Sequence, residues 1–299
     1  MRVASLDLGS NTFLLFIADI KDGKINKVYK DETRVVRLGD RVSQTGEFSK
    51  ESLSRADKCF REYKDIIARN RVDKVVAVAT SAARDVKNRD EFLKMASTYG
   101  IPIEIIAGEK EANISFSGTT FDHPNPEHCC VVDIGGGSTE IIGLVKNRPE
   151  GVSINIGSVR GYDKFIKQEP AQEQLTEVAE WVKTNLSSVD LEVFKTKKEM
   201  IAVAGTPTTL ACLVEEKEYD EKFVNGFLLG QQTIEKWVKK FSQLKISERE
   251  SLKGMPKGRG DVLPVGAVIL LEVMKHLKQT EIYVSTRGVR HGLALLAEK

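Results

Sequence analysis

The sequence predicts a two-domain α/β protein made by tandem duplication, and three observations carry that prediction. A strand that ends on aspartate and turns on glycine occurs twice, at Val3–Thr12 around Asp7 and at Cys130–Ile142 around Asp133, with the aspartates 126 residues apart. After each hairpin the same order of elements follows, β-β-β-α-β-α-β-α. The strand ends Thr80-Ser81 and Gly205-Thr206 then fall 73 and 72 residues past their respective aspartates, so the registers agree over the whole length.

Taken in order, Phe13–Ile20 and Ile141–Lys146 read as second strands, and Arg34–Leu38 and Val152–Val159 as third strands. Apolar residues at helical spacing mark Lys50–Asn70 and Ala171–Ser188 as helices. Each leads to a short apolar run of buried-strand type, Val75–Ala79 and Met200–Ala204. A last strand and helix close each half: Ile103–Ile106 into Glu109–Thr120, and Ile282–Ser285 into Gly288–Ala297. The polar, proline-containing bridge Asp122–Glu127 divides residues 1–122 from 123–299. The second half carries an insertion over about 215–271, with helices at Thr233–Gln243 and Val265–Leu277 and a Gly/Pro-rich loop at Lys253–Asp261. The final helix, 287–299, is free on this evidence to pack on either half.

A chain of 299 residues with 41% hydrophobic and 29% charged residues has material for two ordinary cores and no low-complexity tract. Its net charge of +2 gives no global attraction for a polyanion, so nucleic acid is not an expected partner. The longest apolar stretch, Val262–Met274, is too short to span a bilayer and is interrupted by Pro264 and Glu272. With no signal segment at the start, a cytoplasmic protein without a membrane partner is expected. Cys59, Cys129, Cys130 and Cys212 lack metal-ligand spacing and read as reduced and buried. A homodimer is left open.

The two hairpins carry the chemistry. Main-chain N–H groups at Gly9, Ser10, Asn11 and Thr12, and at Gly135, Gly136, Gly137, Ser138 and Thr139, can converge on a phosphate. Asp7, Asp133 and Glu140 are carboxylates placed to hold Mg²⁺ (or Mn²⁺), which favours a few carboxylates with waters and substrate oxygens. The competing reading is a glycine-rich turn with a turn aspartate. Arg84 follows a strand end and can grip a phosphate in a bidentate fashion, or serve as a surface ion-pair partner. Glu111 stands in the first turn of its helix as a candidate general base, or merely complements the helix dipole.

Asp7–Thr12, Thr80–Arg84, Gly108–Ala112 and Asp133–Glu140, extended by Ala204–Leu210 and Arg259–Asp261, resemble the exopolyphosphatase/guanosine pentaphosphate phosphohydrolase family. The resemblance runs in order along essentially the whole chain. It implies the actin-like and sugar-kinase superfamily fold, two duplicated ribonuclease-H-like halves around a central cleft. It also implies Mg²⁺-dependent hydrolysis of phosphoanhydride bonds, releasing orthophosphate from polyphosphate or guanosine pentaphosphate. Glu111 falls on the family's catalytic glutamate, just before the alanine of a Gly-x-x-Glu-Ala motif, with Asp133 and Arg84 as its catalytic companions. Gly205 and Thr206 match the superfamily's nucleoside-side turn. With Arg259 and Arg287 they are expected to hold the substrate tail, and Lys257 and Arg290 to extend a basic lining; the competing readings are Thr206 as a plain helix cap and Arg259 and Lys257 as solvated charges.

Two features separate this chain from the family pattern. Phe13-Leu14 stand where many relatives carry a basic or polar residue, and the C-terminal helical region of long members is missing. Both bear on the substrate. The rival readings are a kinase for a small molecule on the same fold, and a sensor that binds guanosine tetra- or pentaphosphate without turnover.

Overall fold

The computed structural model describes every residue except Asp85, Lys167, Gln168, Pro170 and Lys299. It divides into two compact units, Met1–Asp122 with Gly288–Lys299, and His123–Arg287. The first unit runs β1 (Arg2–Leu8), β2 (Thr12–Lys21), β3 (Lys24–Val35), α1 (Val42–Thr45), α2 (Lys50–Arg69), β4 (Lys74–Ala79), α3 (Ser81–Arg84), α4 (Arg89–Thr98), β5 (Ile103–Ile105) and α5 (Gly108–Thr120). The second runs β6 (Cys129–Ile134), β7 (Thr139–Val145), β8 (Arg148–Ile154), α6 (Ser158–Phe165), α7 (Gln172–Ser187), α8 (Glu192–Lys195), β9 (Glu199–Val203), α9 (Gly205–Glu215), α10 (Glu221–Val224), β10 (Leu228–Gly230), α11 (Gln231–Phe241), α12 (Ile246–Glu250), α13 (Leu263–His276) and β11 (Glu281–Val284). The chain ends in α14 (Val289–Leu296), which belongs to the first unit.

The sheets are duplicates. The first has the order β3-β2-β1-β4-β5, with β2 antiparallel to both neighbours and the rest parallel, which is the ribonuclease-H-like arrangement. The second repeats it as β8-β7-β6-β9-β11 and adds β10 as an antiparallel edge from the insertion. The registers correspond residue for residue at the hairpins: Asp7 opposes Leu14 and Val78, and Asp133 opposes Glu140 and Val203.

Period-two alternation divides each central strand between two layers. Ala4, Leu6 and Leu8 join Phe60, Tyr63 and Phe92 from α2 and α4 in one core. On the opposite face Val3, Phe16, Ala18 and Ile20 meet Ala294 of α14 and Ala297 just past its end. The helix that the sequence left unassigned is thereby fixed to the first sheet. Arg290 secures it there, its Nε and Nη2 each 2.8 Å from the Asp31 carboxylate. That pairing corrects the expected role of Arg290, because a buried guanidinium committed to Asp31 does not line a substrate path. In the second unit Cys130, Val132, Met200, Ala202 and Ile282 pack under α7, α9, α11 and α13. The four cysteines are buried and free, and burial pushes the Cys130 thiol up to about 12. Among the described residues no helix is long and apolar enough to cross a membrane.

The third strands differ most from expectation. β3 starts ten residues before Arg34 and ends at Val35, and β8 ends five residues short of Val159. Both are polar edge strands whose length is set by two-residue turns, Asp22-Gly23 and Lys146-Asn147, with φ of 53° and 69°, and 49° and 62°. Such left-handed pairs make the tight turn that matches strand twist.

Candidate active site

Both hairpin loops close in the same way. Gly9 N–H donates to Thr12 O and Gly135 N–H to Ser138 O, each at 3.0 Å. In both units the chain after the third strand folds onto the loop's carbonyls: Val36 and Arg37 N–H reach Asn11 O, and Val159 and Arg160 N–H reach Gly136 O. Asn11 is buried, and its Oδ1 has no partner among the described residues. An amide turned over at that spot offers an anion an N–H instead.

Glu111 and Arg84 come together. β4 and β5 are parallel neighbours, so the helices that follow them, α3 and α5, start from the same edge of the sheet. Arg84 Nη1 lies 2.9 Å from Glu111 Oε2 and 2.8 Å from the carbonyl of Ile106. The Glu111 side chain is 10% exposed and the Arg84 side chain 22%, so the pair is poorly screened by water. Nε and Nη2 of Arg84 have no acceptor among the described residues and remain available for a phosphate oxygen. The sequence placed both residues but not their bond.

Asp133 and Glu140 form a second carboxylate site. Directly opposed in the antiparallel β6–β7 pair, they share one face of the sheet, and both are buried. Side chains so opposed stand roughly 5 Å apart at Cβ. Ser153, next across on β8, donates its hydroxyl to Glu140 Oε1 at 2.6 Å. Ser153 escaped sequence reading because its place depends on the β7–β8 register. Asp7 occupies the matching position in the first unit, where Leu14 and Thr33 replace Glu140 and Ser153. Two adjacent all-oxygen carboxylates suit Mg²⁺ or Mn²⁺.

The start of α9 brings together Gly205, Thr206 and Arg259 of the expected tail residues. A Cβ on Gly205 would lie 1.5 Å from Arg259 Nη1, so only glycine lets the guanidinium sit on the helix start. Ala204, at the junction, takes φ 73°, a strained conformation for alanine. Thr206 makes no capping bond; it packs against Gly266 of α13. The loop carrying Arg259 is braced from α12, where Glu250 accepts from Gly258 and Gly260 N–H, and buried Arg249 donates to Gly260 O. The Arg287 N–H donates to Ser285 Oγ at 3.2 Å.

Arg259 itself is half-buried, and no carboxylate or carbonyl among the described residues accepts from its guanidinium. Burial therefore holds its pKa down to about 10, against an ordinary value of 12.5. The unfolded chain binds that proton more tightly, so the charge opposes folding below pH 10, and the opposition fades as pH rises through that value. Arg259→Leu is accordingly expected to raise the thermal unfolding midpoint by a few degrees while weakening substrate binding. Calorimetry and titration of the variant check both.

His123, Cys129 and Glu199 also lie close together. The Cys129 sulfur is 3.4 and 3.7 Å from the two ring nitrogens of His123. Asn125 N–H donates to Nδ1, and Nε2 faces Glu199 at 3.2 Å, so these residues make a hydrogen-bonded cluster at the bridge.

The two sheets and their matching loops define a duplicated α/β protein of the ribonuclease-H-like kind. Comparison with known proteins matches the Ppx/GppA phosphatase family over residues 16–298, and the chain belongs to that family. It is 32% identical over 315 residues to Exopolyphosphatase 2 of Mycobacterium tuberculosis, covering 98% of each chain. It is 34% identical over 308 residues to the bifunctional 3-dehydroquinate synthase/phosphatase of Fusobacterium nucleatum, covering 98% of this chain but 46% of that protein. The crystal structure of the Aquifex aeolicus member of the family superposes with a TM-score of 0.81 at 32% identity, covering 100% of this chain and 97% of the other.

Proposed function

We propose that this protein is a phosphoanhydride hydrolase that releases orthophosphate from the end of inorganic polyphosphate, with guanosine pentaphosphate as the alternative substrate. The observation that carries this reading is the part-buried Glu111–Arg84 pair, which joins a candidate proton acceptor to a cation able to grip phosphate, in a chain with two phosphate-type hairpins. In the proposed reaction Glu111 orients a water and takes its proton as the oxygen attacks the terminal phosphorus. The bridging P–O bond breaks, and the shortened chain leaves with the bond's electrons. Nε and Nη2 of Arg84, which have no acceptor among the described residues, and the N–H groups of the first unit's hairpin neutralise charge on the non-bridging oxygens. Gly205, Thr206, Arg259 and Arg287 are assigned to the substrate's tail.

Asp133 and Glu140 are the residues proposed to hold Mg²⁺ or Mn²⁺ in the second unit, and Asp7 is the carboxylate at the corresponding position of the first. A bound divalent ion would offset phosphate charge and position its oxygens. Without a cation, buried carboxylates beside an anionic substrate repel it. Excess chelator is therefore expected to abolish phosphate release and added Mg²⁺ to restore it; full release in chelator would remove the metal from the scheme.

The test of the function is phosphate release measured side by side on polyphosphate, guanosine pentaphosphate, guanosine tetraphosphate and ATP with Mg²⁺. Release from either of the first two supports the proposal and ranks them. Binding of the guanosine compounds without release from any substrate would establish the sensor instead, and ATP use that requires a second acceptor would establish a kinase.

A further inference from the structure

The loop Gly135–Ser138 directs its carbonyls to one side and has all of them occupied. Gly135 O accepts from Ser158 N–H at 3.0 Å, Gly136 O from Val159 and Arg160 N–H at 2.8 and 2.9 Å, and Ser138 O from Gly135 N–H. Gly137 O accepts from Arg160 Nε at 2.8 Å. Three of the donors are the first main-chain N–H groups of α6, which have no partner inside a helix. Gly157 lets α6 come this near, since a Cβ there would lie 2.4 Å from Gly136 O.

A trans peptide unit points its N–H opposite its C=O. Holding the carbonyls of Gly135, Gly136 and Gly137 against α6 therefore turns the N–H groups of Gly136, Gly137 and Ser138 the other way. Those three N–H groups have no acceptor among the described residues. Two of the three carbonyls are held by main-chain donors. The third, and with it the Ser138 N–H, is held by one side chain, that of Arg160. The first unit uses a related brace, in which Arg55 of α2 donates to Val36 and Arg37 O, the segment lying on Asn11 O.

We propose that Arg160 is a positioning residue for the phosphate loop. It acts behind the loop, clamping Gly137 O so that Ser138 N–H is aimed at a bound phosphate. The proposal rests on the reading of Gly135–Thr139 as a phosphate site, and the experiment separates the two. Full-length protein with ¹⁵N-labelled glycine and serine is titrated with inorganic tripolyphosphate in the absence of divalent ions, following the amides of Gly136, Gly137 and Ser138. The parent is expected to shift all three. Arg160→Ala is expected to lose the Ser138 response and to bind tripolyphosphate about tenfold or more weakly, the worth of one charge-assisted hydrogen bond. Arg160→Lys, which keeps the charge but not the fixed Nε donor, should fall between, with both variants melting near the parent. Parental Ser138 shifts and affinity in Arg160→Ala would overturn the positioning role. If that variant does not fold, the same result in Arg160→Lys overturns it. Absence of any amide response in the parent would instead overturn the phosphate-loop reading.

Discussion

Glu111→Gln is expected to lower kcat by about 10²- to 10⁴-fold, the usual contribution of a positioned general base. The substitution keeps the volume and one carbonyl oxygen facing Arg84, so the 2.9 Å contact survives as a hydrogen bond to a neutral acceptor. Substrate affinity should hold or improve, because one negative charge near the phosphates is gone. If Glu111 served only the dipole at the start of α5, its replacement would cost about 0.3–1 kcal/mol of stability and leave turnover unchanged. The Glu111 carboxylate also pairs with Arg84, a contact that complementing the helix dipole does not require. Single-turnover hydrolysis and equilibrium binding on both proteins decide the matter, and a variant that turns over like its parent removes Glu111 from the mechanism.

What was legible in the sequence follows from what repeats. The Asp7 and Asp133 hairpins fixed both central strand pairs, because glycine and aspartate at matched registers leave few ways to turn. The helices at Lys50 and Gln172 were legible from apolar spacing alone. Polar edges were not: Lys24–Val35 is mostly exposed and lacks the apolar alternation that marks a half-buried strand. Its one local signal is the Asp22-Gly23 turn, set among charged flanks. Periodicity told that the last helix has a buried face but not which sheet covers it, and Arg290 looked free because its partner Asp31 is 259 residues away. Candidate residues could be named from the sequence, but the bonds between them could not. The Arg84–Glu111 contact follows from β4 and β5 being parallel neighbours, and the Glu140–Ser153 contact from the β7–β8 register. Both are properties of sheet order, which no local pattern carries.

Arg84→Ala is expected to reduce kcat/KM by about 10- to 150-fold through the lost charge-assisted contact to substrate, on the scale of roughly 1.5–3 kcal/mol for such a bond. The ion pair adds a second loss. Without the guanidinium, Glu111 loses the positive charge 2.9 Å from its carboxylate, and the loss of that charge favours the protonated form. A protonated Glu111 accepts no proton from water, so the acid limb of the pH–rate profile should move to higher pH in Arg84→Ala. Raising the pH should then recover the part of the loss due to Glu111 and leave the part due to the phosphate contact. The double variant with Glu111→Gln separates the two parts. Residues in contact do not add, and the second substitution should cost much less in the Arg84→Ala background than in the parent. Removing one partner of a buried pair also costs stability, by about 3–5 kcal/mol in the strongest cases, so unfolding is measured alongside. Strict additivity, with an unmoved pH profile, would return Arg84 to a plain structural ion pair.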